Sequence, residues 1–127
     1  MGKIVVSVKV ENALMPSIPA MQMDALVDTG SSRLTLPNAW RERLGDFPRT
    51  RKAVAHTASE TVDAIICSPA VITIAGFPQI DGEILFMDME PIDGEYQPIL
   101  GYIPLESCEA LVDMQSHRLR KAKYVDA

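Results

Sequence analysis

Apolar and polar residues alternate with a period of two along most of the chain, the spacing of half-buried strands. Ile4, Val6, Val8 and Val10 fall on one face of a first strand, and Val5, Ser7 and Lys9 on the other. Asn12–Pro19, with Pro16 and Pro19, interrupts the pattern as a loop. A second alternation places Met21, Met23, Ala25 and Val27 opposite Gln22, Asp24, Leu26 and Asp28, and it ends at Gly30. Arg33–Leu36 reads as a short strand. Asn38 then caps a two-turn helix through Leu44, with Gly45 as its stop and Trp40 and Leu44 as its inward pair.

The remainder is β-rich. Ala53–Ala58 and Thr61–Cys67 form the arms of a hairpin that bends near Ser59-Glu60. Ala70–Ile74 is a β-branched strand and Glu83–Asp88 another, joined by Ala75–Gly82. After the polar loop Glu90–Gln97, a short apolar run stops at Gly101, and Pro104 opens one helical turn through Cys108. Ala110–Met114 and His117–Arg120 close the chain as a hairpin. Many short strands at this spacing indicate an all-β barrel or sandwich.

Length and composition narrow the class. The 127 residues make one domain, 1–127, with 47% apolar and 23% charged residues, enough for a core without a disulfide framework. Cys67 and Cys108 stand far apart and read as buried or free thiols of a reducing compartment, although spacing leaves a disulfide open. His56 and His117 are unrelated in position, so no metal site is indicated. The net charge is −5, and eleven Asp or Glu lie between Lys52 and Arg118 without a Lys or Arg. That excess argues against nucleic acid as a partner. No run approaches the ~20 apolar residues of a membrane span. The start has neither a signal-peptide core nor the Ser or Thr at position 6 that myristoylation needs, which is Val6 here. A soluble cytoplasmic protein is expected.

One stretch carries chemistry: Ala25-Leu26-Val27-Asp28-Thr29-Gly30-Ser31-Ser32. Apolar residues deliver an Asp to a strand end, and the Gly after it allows a tight turn whose backbone can face the carboxylate. Taken alone, Asp-Thr-Gly is ordinary turn composition. Further along, Ile99-Leu100-Gly101 supplies a second element of hydrophobic-hydrophobic-Gly type.

With both motifs in this order, the chain resembles a single-domain, retropepsin-like (clan AA) aspartic protease of bacterial type. The likeness runs over Gly2–Val10, Ala25–Leu36, Glu42–Gly45, Thr57-Ala58, Ile99–Glu106 and Val112–Leu119. It implies a mainly β fold: a small closed β-barrel with a Ψ-like crossing, a flap hairpin at Val54–Ala64 and one or two short helices. It implies a homodimeric aspartic endopeptidase that cuts an extended peptide or protein substrate, with Asp28 of each protomer as the catalytic group and no metal or cofactor. Thr29 takes the cross-subunit hydrogen bond, Gly30 keeps the loop tight, and Ser31 is an accepted variant. Leu100 and Gly101 pack behind the loop. Thr57, Ala58, Ser59 and Glu60 form the flap over substrate. The chain ends, Gly2–Val10 and His117–Val125, are candidates for pairing two protomers.

One departure favours another class of function. Family flaps carry a Gly near the tip, and none occurs between Val54 and Ala75. The alternative is a non-proteolytic, dimeric peptide-binding or interaction module on the same fold. Asp24 is an exposed strand residue rather than a partner of Asp28, because strand spacing sets them about 13 Å apart. His56 is an exposed flap residue. A serine hydrolase is disfavoured, since no G-x-S-x-G occurs.

Overall fold

The computed structural model describes residues 3–122. Gly2 and residues 123–125 of the proposed pairing ends lie outside the described residues. Within them the chain is mainly β, in the order β1 (Val5–Asn12), β2 (Met21–Val27), β3 (Leu34–Pro37), a 3₁₀ helix (Asn38–Leu44), β4 (Arg49–His56), β5 (Thr61–Ile74), β6 (Ile80–Met87), β7 (Ile99–Leu100), α1 (Tyr102–Ser107), β8 (Ala110–Asp113) and β9 (Arg118–Lys121).

Seven strands form one sheet in the order β1-β2-β7-β3-β6-β5-β4, and β8 and β9 form a separate hairpin. The short β7 inserts between β2 and β3, parallel to the first and antiparallel to the second. It therefore brings Ile99 beside Leu26, and Leu100 beside Leu34. The alternation read from sequence places the core: Val8, Val10, Ala25, Leu34, Leu36, Ile72, Ile74, Ile84 and Leu100 are buried together.

β5 is a single strand where the sequence suggested two. Its register shifts between Cys67 and Ala70, at Ser68-Pro69, and the strand continues past this irregularity. Before the shift it pairs with β4, and after it with β1, while β6 follows it on the other side. This arrangement corrects the expected small closed barrel. The sheet folds back through β1–β5, but among the described residues β4 pairs with β5 alone and keeps a free edge. The hairpin β4–β5 projects, because β1 takes the place beside β5 where β4 has ended.

The expected helix is present through Leu44 and is of 3₁₀ type, but its cap is corrected: Pro37, not Asn38, occupies the capping position, without a side-chain cap bond. Gly45 ends it as expected, at a left-handed φ of 74°. Leu44 is buried, and Trp40 packs against the core and meets Tyr96 edge to face at 5.9 Å. The second helical turn begins at Tyr102, two residues before Pro104. Cys67 and Cys108 are free, buried thiols, and burial pushes both up from the ordinary thiol range. Among the described residues no helix is long and apolar enough to cross a membrane.

Asn12, which the alternation left at the start of a loop, is a buried polar residue, 2% exposed. Its Nδ2 donates to the carbonyls of Leu44 (2.9 Å) and Asp46 (2.7 Å), and its Oδ1 accepts from the Leu14 N–H (3.1 Å). It thus ties the end of β1 to the end of the 3₁₀ helix. Asn12→Ala strands these backbone groups and is expected to lower stability by about 2–4 kcal/mol. A urea midpoint within error of the wild type would contradict that role.

Candidate active site

Strand β2 carries Asp28 to the surface. The Val27 N–H donates to the Ile4 carbonyl (2.9 Å), and the Asp28 N–H to the Leu100 carbonyl (3.0 Å), so the residue leaves the sheet with its backbone anchored. The chain then turns tightly, the Ser31 N–H donating to the Asp28 carbonyl at 3.0 Å. The carboxylate is exposed, yet each oxygen has a donor. The Gly30 N–H reaches Oδ1 at 2.9 Å, and the Ser31 hydroxyl reaches Oδ2 at 3.3 Å. A Cβ on Gly30 would stand 3.2 Å from Oδ1, close enough to displace the carboxylate by a few tenths of an ångström.

The loop is held from behind by the start of α1. The Gly101 N–H donates to Arg33 O (3.1 Å), the Tyr102 N–H to Ser31 O (2.9 Å) and the Ile103 N–H to Ser32 O (2.9 Å). The two backbones run so close that a Cβ on Gly101 would lie 2.5 Å from Ser32 C, 2.6 Å from Arg33 N and 2.6 Å from Ser31 O. Leu100, fully buried, anchors the same crossing in the core.

In front of the loop lies a cavity of about 690 Å³. Asp28, Gly30 and Ser31 line one side and Val54–Ala58 the other, with Ile66, Leu85 and Met87 as an apolar floor. Of the residues singled out from sequence, Asp28, Gly30, Ser31, Thr57 and Ala58 therefore meet at one cavity. Thr29 is exposed on the loop outside the lining, Ser59 and Glu60 stand at the hairpin tip outside it, and Leu100 and Gly101 are behind it. Asp24 is exposed on β2, opposite Ser7. His56, at the end of β4, lines the cavity.

The tip closes without glycine. The Thr57 N–H donates to the Glu60 carbonyl (2.8 Å), and the Thr57 hydroxyl accepts from the Glu60 N–H (3.1 Å) and lies 3.0 Å from the Glu60 carbonyl. The hydroxyl takes the place of a backbone acceptor, and none of residues 57–60 has a positive φ.

A cluster of charges beside the cavity has no local signature in the sequence. Glu83 on β6 accepts from Arg33 Nε (3.1 Å) and from Arg51 on β4 (Nη1, 2.8 Å; Nη2, 3.4 Å). Its carboxyl is held below the usual range, first by the Arg51 hydrogen bond and then by Arg33, against the opposing effect of burial. In sequence these are two cations and one acid in three separate stretches, Arg33 just before β3, Arg51 on β4 and Glu83 on β6, and their alignment needs the register.

Two outcomes follow from this geometry. Gly101→Ala forces the two backbones apart and is expected to cost about 3 kcal/mol or more; a wild-type thermal midpoint would contradict the close approach. The depressed Glu83 gives a stabilisation that is present above the ordinary Glu value, about 4.3, and is lost as pH falls through the lower folded value. Because the pair is partly exposed, the difference between wild type and Glu83→Gln is expected to shrink by less than about 1 kcal/mol over that acid window. Parallel urea-midpoint curves for the two proteins would contradict it. No protein-family model matches this chain and no curated protein matches it, so the functional reading rests on Asp28 and its surroundings.

Proposed function

We propose that the protein is an aspartic endopeptidase of retropepsin-like type, acting as a homodimer in which Asp28 of each protomer meets its counterpart. The observation that carries this reading is the Asp28 carboxylate: exposed at a cavity, oriented by the Gly30 N–H and the Ser31 hydroxyl, and set on a loop braced by Gly101. One such carboxylate is half of an acid–base pair.

Two carboxylates within hydrogen-bond distance do not both ionise cheaply, so the pair holds one proton and titrates as a unit. The ionised member takes a proton from a water lying between them. The water oxygen attacks the peptide carbonyl carbon, and the protonated member gives its proton to the carbonyl oxygen. Collapse of the tetrahedral intermediate breaks the C–N bond, with the proton passing to the departing nitrogen. No acyl-enzyme forms. Thr29 is exposed beside Asp28, which suits the cross-subunit hydrogen bond this reading gives it. The hairpin Val54–Ala64 closes over an extended peptide and excludes water.

The second reading is a dimeric peptide-binding module that does not cut, to which the glycine-free hairpin tip, closed by Thr57, is equally suited. One comparison separates the two. On a mixed peptide library at mildly acidic to neutral pH, Asp28→Asn is expected to lower cleavage at least about 100-fold, the lower end of what general acid–base catalysis supplies, with binding retained. Identical digests by the two proteins would remove Asp28 from the chemistry. Binding by both proteins without any cleavage would establish the module.

A further inference from the structure

The floor of the cavity follows from sheet register. Thr35 lies beside Leu85, Leu85 beside Ile66, and Ala64 between Ala53 and Met87, so one face of β3, β6, β5 and β4 forms the floor. Arg51 lies beside Ile66 and ends that row, and strand alternation puts Arg33 and Glu83 one step further along on the same face. These three groups carry two positive charges and one negative charge, and Glu83 is shared between the two arginines.

Of the three, Arg33 lines the cavity. Its guanidinium is held at two points, Nε on Glu83 at 3.1 Å and Nη1 on the Ser32 hydroxyl at 3.3 Å, and its side chain is 24% exposed. A guanidinium has five N–H donors in a fixed plane. Among the described residues Nη2 has no acceptor. The other titratable groups lining the cavity are Asp28, His56 and Tyr102. A cation clamped in orientation, with unused planar donors at the edge of an apolar floor, is suited to a carboxylate.

We propose that Arg33 is a specificity-determining residue of this cleft, selecting peptides that carry Asp or Glu at the position bound beside it, with Glu83 as the residue that orients its guanidinium. The inference rests on the reading of the cavity as a peptide site, but not on cleavage.

The test uses peptides in which each position in turn carries Glu, Gln or Lys. Their binding to the full-length Asp28→Asn protein is followed by fluorescence anisotropy, and their cleavage by wild type is followed in parallel. At one position Glu is expected to be preferred over Gln by roughly three- to tenfold, the range of about 0.7–1.4 kcal/mol, with Lys weakest. The preference should shrink as salt is raised. On the Asp28→Asn background, Arg33→Gln should erase it, Arg33→Lys should keep part of it and Arg33→Glu should turn it toward Lys. If Arg33→Gln does not fold, the Arg33→Lys and salt arms decide. Peptides that bind with no such position, or with a preference unchanged in Arg33→Gln or insensitive to salt, would overturn the role of Arg33. A library that is neither bound nor cut would overturn the peptide-site reading itself, and this role with it.

Discussion

Everything at the candidate site depends on one close backbone crossing. Gly101 runs against Ser31–Arg33 with no room for a side chain, and three consecutive N–H groups, at Gly101, Tyr102 and Ile103, donate across that gap. The crossing couples three distant parts of the chain. β7 enters the sheet between β2 and β3, its Leu100 fills the core, and its carbonyl receives the Asp28 N–H. A loop bearing an exposed carboxylate is by default a mobile part of a protein. Here its backbone is bonded on both sides, so the carboxylate is presented by the core rather than by a free turn.

The second constraint is the long β5. Its irregularity at Ser68-Pro69 lets one strand serve two neighbours, β4 before it and β1 after it. The consequence is a hairpin that projects over the cavity while its base stays in the sheet. Arg51 at that base shares Glu83 with Arg33, which follows the Asp28 loop. The hairpin and the loop are therefore joined by side chains as well as by the strands between them. At the far end, Thr57 closes the tip with its own hydroxyl. The missing glycine, which in sequence pointed toward a module that does not cut, has a local explanation that leaves the cavity open to either reading.

Local features were legible in the sequence and long-range ones were not. The period-two alternation located β1 and β2 and the residues they bury, since inward and outward positions are set by strand geometry alone. Asp28-Thr29-Gly30 and Ile99-Leu100-Gly101 marked the two backbones that meet, and the close approach gives Gly101 its steric reason. The continuity of β5 was hidden because Ser68-Pro69 reads as a break, although Pro tolerates a position at a bulge. Asn12 read as loop because its partners, Leu44 and Asp46, are distant in sequence. The cluster of Arg33, Glu83 and Arg51 was invisible for the same reason: strand order decides which charges become neighbours. The closed barrel failed at β4, whose free edge depends on where β1 pairs with β5.

The central claim is that two Asp28 carboxylates form one catalytic centre. The direct measurement is the peptide-cleavage rate of wild-type protein refolded together with increasing proportions of Asp28→Asn at constant total concentration. If each site needs an aspartate from both copies, mixed dimers are silent and the rate follows the square of the wild-type fraction. A rate that falls in simple proportion to the wild-type fraction would show that each chain cuts on its own, and would contradict the shared centre.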